Sequence, residues 1–141
     1  MNYVLRPIGV VEKVEGEVAK VRIFNDFIEG LDQIMEFSHI IVIGWLHLSD
    51  REERRKTLKV KPKRHPGAPL VGVFASRSPD RPNPIGLCVT QLLGLEDSTL
   101  IVKGLDFIEG TPIIDIKPYL PRADCIPEAK APEWTLHGPP T

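Results

Sequence analysis

Apolar and polar positions alternate in short blocks along most of the chain. Val18, Lys20 and Arg22 fall on one side of a two-residue period and Ala19, Val21 and Ile23 on the other, which predicts a half-buried strand. Residues 3–13 repeat the pattern loosely, and the intervening VEGEV reads as a short turn. The spacing predicts a turn or two of helix within EGLDQIMEFS (29–38), with Leu31, Ile34 and Met35 on one face. HIIVIGWLHL (39–48) is a β-branched run that reads as a central strand. KTLKVKP (56–62) alternates again, with Leu58 and Val60 as its apolar side, and LVGVFA (70–75) reads as a buried strand. GLCVTQLLGLE (86–96) and STLIVKGLDF (98–107) predict a hairpin across EDS, and PIIDIKPYL (112–120) one further strand. Beyond Pro121 the chain is Pro-rich and irregular, and HGPPT at the end is expected to fray.

Seven or so short strands with almost no helix predict a mainly all-β sheet closed on itself, a barrel or a sandwich. A single domain over residues 1–128 followed by an irregular tail, 129–141, is the expected organisation. Composition agrees: 141 residues, 42% apolar and only 6% aromatic, give a core built mainly from Val, Ile and Leu. The longest apolar run is about half a membrane span, and the start of the chain lacks the basic-then-apolar form of a secretory signal. Cys88 and Cys125 make neither a disulfide framework nor a zinc site. A reduced, cytoplasmic protein without membrane or metal is expected.

Charge is distributed unevenly. Residues 51–64 hold eight basic side chains against Glu52 and Glu53, a local charge of +6 in a chain of net charge −1. Such a strip, with Arg55, Lys59, Lys61, Lys63 and Arg64 at its centre, suits a polyanion such as RNA; a solvated surface hairpin is the alternative.

Several chemistries are excluded. No dinucleotide glycine fingerprint, P-loop or H-E-x-x-H is present. The four histidines are dispersed, and Cys88 lies in an apolar strand pattern where it reads as a small core residue. His39 is expected to cap or pack at the start of its strand. Two segments remain. In RSPDRPNPIGL (77–87) each proline fixes its own φ and pushes the preceding residue towards extended backbone, so Arg81 and Asn83 are held at defined angles. Arg77 and Arg81 are able to fork onto a carboxylate or phosphate, and Gly86 allows close approach of a ligand or backbone. The competing reading is a rigid crossover whose arginines pair with Asp80. In the second segment, Gly110-Thr111-Pro112 reads as a turn exposing amides and a hydroxyl, with Asp106, Glu109 and Asp115 around it. These acids either hold ribose hydroxyls or, as with Asp115 beside Lys117, simply form surface pairs.

GVFASRSPDRPNPIGL (72–87) followed by LDFIEGTPIIDIKPYLPRAD (105–124) resembles the TrmO family, also called YaeB-like or TsaA-like, and FSHIIVIGWLH (37–47) resembles its strand entering the same site. The resemblance implies a small β-barrel that binds S-adenosyl-L-methionine, and a homodimer with the cofactor pocket near the interface. It implies a methyltransferase acting on the N6 amine of threonylcarbamoyl-adenosine in the tRNA anticodon loop. By position, Leu46, His47, Arg77, Leu87, Glu109, Gly110, Thr111 and Pro112 would border the cofactor. Asn83 and Tyr119 are the candidates for polar contacts to the substrate amine or the cofactor, with no further catalytic residue assigned. Two departures stand out: Glu109 replaces the family's usual Asp, and no P-R-Q stretch follows the first strand. A non-catalytic S-adenosylmethionine sensor is the alternative reading.

Overall fold

The ring of strands is built by alternation. The structure, a computed structural model, describes residues 1–140. In β2 (Val18–Ile23) Ala19, Val21 and Ile23 are buried while Lys20 and Arg22 are exposed, as the two-residue period requires. The same rule buries Val11 in β1 (Gly9–Glu15), Ile40 and Val42 in β3 (His39–Trp45), Cys88, Thr90 and Leu92 in β6 (Ile85–Glu96), Leu100 and Val102 in β7 (Thr99–Lys103) and Ile113 in β8 (Pro112–Pro118). All of these side chains except Thr90 form one apolar cluster with Leu31 and Phe107. Full burial of a single Ile or Val contributes about 1.5–3 kcal/mol, so the cluster is what holds the ring.

The strands join in the order β1-β2-β7-β6-β3-β8, and β8 pairs back onto β1 through Gly9–Ile113 and Val10–Pro112, so the sheet closes. Every pairing is antiparallel. Register slips at Val11/Lys13, Ile43/Gly44 and Leu92/Gly94 bend the strands locally. The ring therefore has six strands rather than the seven expected. The difference lies in KTLKVKP and LVGVFA, which contribute only β4 (Lys59–Val60) and β5 (Val71–Gly72), a separate two-stranded sheet. LVGVFA is also not a buried strand: Val73 is buried, but Leu70 and Phe74 stand 59% and 78% exposed, because a 3-10 turn at Val73–Ala75 breaks the alternation. The helical turns expected near 29–38 are 3-10 turns at Asn25–Leu31 and Ile34–Glu36. Leu31 is buried there, but Met35 is exposed.

Two compact units result. The first comprises Met1–His47 and Ile85–Pro121 and contains the ring; the second comprises Leu48–Pro84 and the chain from Arg122 onward. The second unit contains α1 (Glu52–Arg55), β4, β5 and a 3-10 turn at Glu133–Leu136. His137, the first residue of the HGPPT segment, is held in place. His65 Nδ1 donates to the carbonyl of His137 at 2.7 Å, His137 Nδ1 donates to the carbonyl of Pro66 at 2.9 Å, and the His65 ring meets Trp134 edge-on. Thr141 lies outside the described residues.

Candidate functional site

Two strand glycines set the geometry in the first unit. Gly44 of β3 pairs with Gly86 of β6. A Cβ on Gly44 would meet Phe107 Cε2 at 2.8 Å and Thr111 Cγ2 at 3.2 Å; one on Gly86 would meet Phe107 Cε1 at 2.8 Å and Leu46 Cδ2 at 3.0 Å. The Phe107 ring thus occupies the space that side chains would fill. What approaches Gly86 is this ring, not a ligand. The arrangement gathers Leu46, Phe107 and Thr111 at the end of β3, immediately before His47. Phe107 was not singled out from the sequence; the signal was an isolated glycine in each of two apolar strands.

His47 begins a 3-10 turn, His47–Ser49, and is half-buried. Its Nδ1 is buried and has no hydrogen-bond partner. A buried polar atom without a partner is rare in folded proteins and calls for one. This atom is the observation of the unit that fits a bound polar ligand.

The Glu109–Pro112 turn is more self-contained than its sequence implied. Gly110 N–H donates to the Val11 carbonyl at 2.8 Å, and Thr111 donates to the Ile108 carbonyl through both its N–H (3.2 Å) and its hydroxyl (2.8 Å). The expected free amides and hydroxyl are therefore engaged. Gly110 takes φ +88°, a region that favours glycine. Glu109 Oε1 accepts from Val14 N–H at 2.8 Å, which ties the turn to β1 and leaves the carboxylate's second oxygen outward. Lys13, next in sequence to Val14, pairs with Glu15 at 2.6 Å. That hydrogen bond and charge raise the Lys13 pKa above its usual value, with a smaller contribution from Glu109, and the same hydrogen bond and charge lower that of Glu15. Both groups are fully exposed, so they set no pH window for folding.

Other predicted residues sit elsewhere in this unit. Leu87 is 49% exposed on the face of β6 opposite to Gly86, in an outward apolar strip with Ile85 and Val89. Tyr119 donates its N–H to the His39 carbonyl and stacks edge-on to the His39 ring. That is the opposite end of β3 from His47, about 20 Å along the strand, so the fold does not bring Tyr119 to Leu46 and His47. As expected, His39 packs at its strand start, Asp115 pairs with Lys117 at 3.1 Å, and Cys88 is buried. A cavity of about 440 Å³ between the 3-10 turns and the β6–β7 turn contains none of the predicted residues; Leu31, Ile34 and Leu95 line it, and Glu29, Asp32, Glu36 and Asp97 rim it.

In the second unit the proline loop is held by side chains as well as by its prolines. Ser76 Oγ accepts from Ser78 N–H and Ser78 Oγ from Asp80 N–H, both at 3.2 Å. Arg81 donates through Nη1 to the Ser76 and Ser78 carbonyls at 3.1 and 2.9 Å, so its guanidinium closes the loop. Helix α1 braces the other side. Arg54 Nε lies 3.7 Å from Asp80 Oδ1, too long for a hydrogen bond but within ion-pair range, and that oxygen is otherwise buried without a partner. Arg55 donates to the Pro82 carbonyl (2.7 Å), Asp50 (3.0 Å) and the Asn83 side-chain oxygen (3.2 Å). Arg55 thereby has a structural role beside the one expected on nucleic acid. Asn83 retains its amide N–H groups on an exposed side chain. Arg77 is exposed and without a partner among the described residues, as are Lys59, Lys61 and Lys63; Arg64 is exposed. Among the described residues no cluster of three metal-ligating side chains occurs, and no helix is long and apolar enough to cross a membrane.

Comparison with known proteins adds a family. Residues 9–125 match the tRNA-methyltransferase O N-terminal domain. A protein of Methanocaldococcus jannaschii named "Probable S-adenosyl-L-methionine-binding protein" is 46% identical over 123 residues, covering 87% of this chain and 97% of its own. An S-adenosyl-L-methionine-binding protein of Archaeoglobus fulgidus is 39% identical over 137 residues, covering 87% and 94%. The crystal structure of TrmO from Pseudomonas aeruginosa superposes with a TM-score of 0.73 at 28% identity, over 94% of this chain and 62% of that one. This chain therefore spans about three-fifths of that enzyme's length.

Proposed function

The chain belongs to the family of the tRNA-methyltransferase O N-terminal domain, and from that premise we propose that it binds S-adenosyl-L-methionine and methylates the N6 amine of a (threonylcarbamoyl-)adenosine in the tRNA anticodon loop. The observation that carries the reading is the buried, unpartnered Nδ1 of His47, at a position where the family motif assigns a cofactor contact. Bound cofactor would supply a methyl group on a sulfonium, already activated for transfer.

The residues divide the remaining work. His47 offers one polar contact and Leu46 an apolar one, while the Glu109 carboxylate, fixed by Val14, offers an acceptor for hydroxyls. Gly110, Thr111 and Pro112 hold that carboxylate in place; Leu87 and the cation of Arg77 are assigned to the cofactor by motif position alone. Asn83, anchored through its oxygen by Arg55, presents amide donors. The transfer forms the N6–methyl bond, breaks the sulfonium–methyl bond to release S-adenosylhomocysteine, and gives up the amine proton to solvent, while positioning supplies a large part of the rate. Lys59, Lys61, Lys63 and Arg64 serve as the cationic surface for tRNA, which implies a cytoplasmic site of action. A homodimer is part of the reading, supported by the outward strip Ile85, Leu87 and Val89, each 39–49% exposed. Sedimentation of the wild-type chain as a monomer would remove the dimer from it.

The test is incubation with S-adenosylmethionine carrying a deuterated methyl group and total tRNA, followed by digestion to nucleosides and mass spectrometry. Label on the N6 position of an adenosine derivative supports the enzyme. Cofactor retained by the protein with no label in RNA supports the sensor reading instead, and absence of both contradicts the proposal.

A further inference from the structure

In the second unit, residues 59–63 alternate, with Lys59, Lys61 and Lys63 exposed and Val60 and Pro62 half-buried. Lys59 and Lys61 therefore project from one side of a short extended segment, and Lys63 follows in a turn in which the His65 N–H donates to the Pro62 carbonyl at 3.4 Å. β4 pairs with β5 through Lys59–Gly72 and Val60–Val71, and two residues beyond Gly72 stands Phe74, 78% exposed. The backbone around that ring is fixed. Val73 is buried, its N–H donates to the Leu58 carbonyl at 2.9 Å, and its carbonyl accepts from the Ser76 N–H and hydroxyl. A phenyl ring on a rigid turn, bare to solvent in the same unit as lysines that have no partner among the described residues, loses the burial that its apolar surface favours. It also has no polar atom to compensate.

We propose that Phe74 is a stacking platform for one unpaired nucleobase of a single-stranded RNA segment whose phosphates lie along Lys59, Lys61 and Lys63. The inference rests on the RNA reading above and narrows it. Charge selects a polyanion, and an aromatic face selects a base that is free to leave its own stack, hence a loop and not a duplex. With this one ring in the unit of the lysines offered as a platform, one base is read by stacking and the remaining affinity is electrostatic.

The experiment measures binding of a stem-loop RNA with 2-aminopurine in the loop, and of a duplex of equal charge, to the wild-type chain, Phe74→Ala and Phe74→Trp. Sedimentation of each protein is recorded alongside. The wild type is expected to favour the stem-loop and quench its fluorescence. Phe74→Ala should lose about tenfold in stem-loop affinity, within the range for one stacked base, with an unchanged salt slope; Phe74→Trp should restore it. Wild-type binding that Phe74→Ala leaves intact overturns the stacking site while the RNA reading stands. A variant that only dissociates a dimer, at equal RNA affinity per chain, makes the ring a subunit contact and also overturns it. A wild type that binds neither RNA in low salt removes the RNA reading itself, and this inference with it.

Discussion

The two units of this chain are held together by different means. In the ring, backbone ladders join every neighbouring strand and apolar side chains at nearly zero exposure fill the centre. In the second unit the only ladder among the described residues is two residues long on each strand, and order comes from serine hydroxyls, arginine guanidiniums and histidine–carbonyl bonds. A ring of that kind tolerates no change of volume but accepts changes of charge on its outside. A loop system of that kind does the opposite: it can present many cations, because a few polar contacts fix the backbone beneath them.

The largest effect that would sharpen this contrast is Ile40→Ala in the ring. Ile40 is fully buried, and the truncation should cost about 2–5 kcal/mol in global stability, read by denaturant unfolding. A loss below about 1 kcal/mol would mean that the ring is not the stabilising element. Arg81→Ala comes next. It removes two charge-assisted bonds to carbonyls and should cost about 1–2 kcal/mol locally. Amide exchange should accelerate at Ser78 and Asp80 with the ring amides unaffected; acceleration throughout would show that the units unfold as one. The smallest stability effect belongs to Lys59, Lys61 and Lys63 changed together to Glu. The melting temperature of this variant should barely move, since all three are exposed without partners among the described residues. The logarithmic salt slope of single-stranded RNA binding should fall by about 2, and an unchanged slope would make the strip a solvated face only.

The ring was legible because alternation reports burial directly: Ala19, Val21 and Ile23 are buried as their period predicts. The second unit was legible only in outline. Nothing in LVGVFA announces the 3-10 turn that exposes Phe74, because an isolated apolar run has the same composition buried or bare. Arg54, Arg55 and Arg81 resemble free cations in sequence, and only the fold reveals that they brace RSPDRPNPIGL. The candidate site was visible as motifs, whereas its arrangement around Phe107 depended on Gly44 and Gly86 being paired across two strands. Tyr119 shows the converse, since a place in a motif did not bring it to His47.

The most direct test of the account is calorimetric titration of S-adenosylmethionine into the wild-type chain and His47→Ala, with thermal melts to establish that both are folded. The account predicts binding by the wild type and a loss of about tenfold or more in the variant, as expected for removing a buried polar contact. Equal affinities, or no binding by the folded wild type, would contradict it.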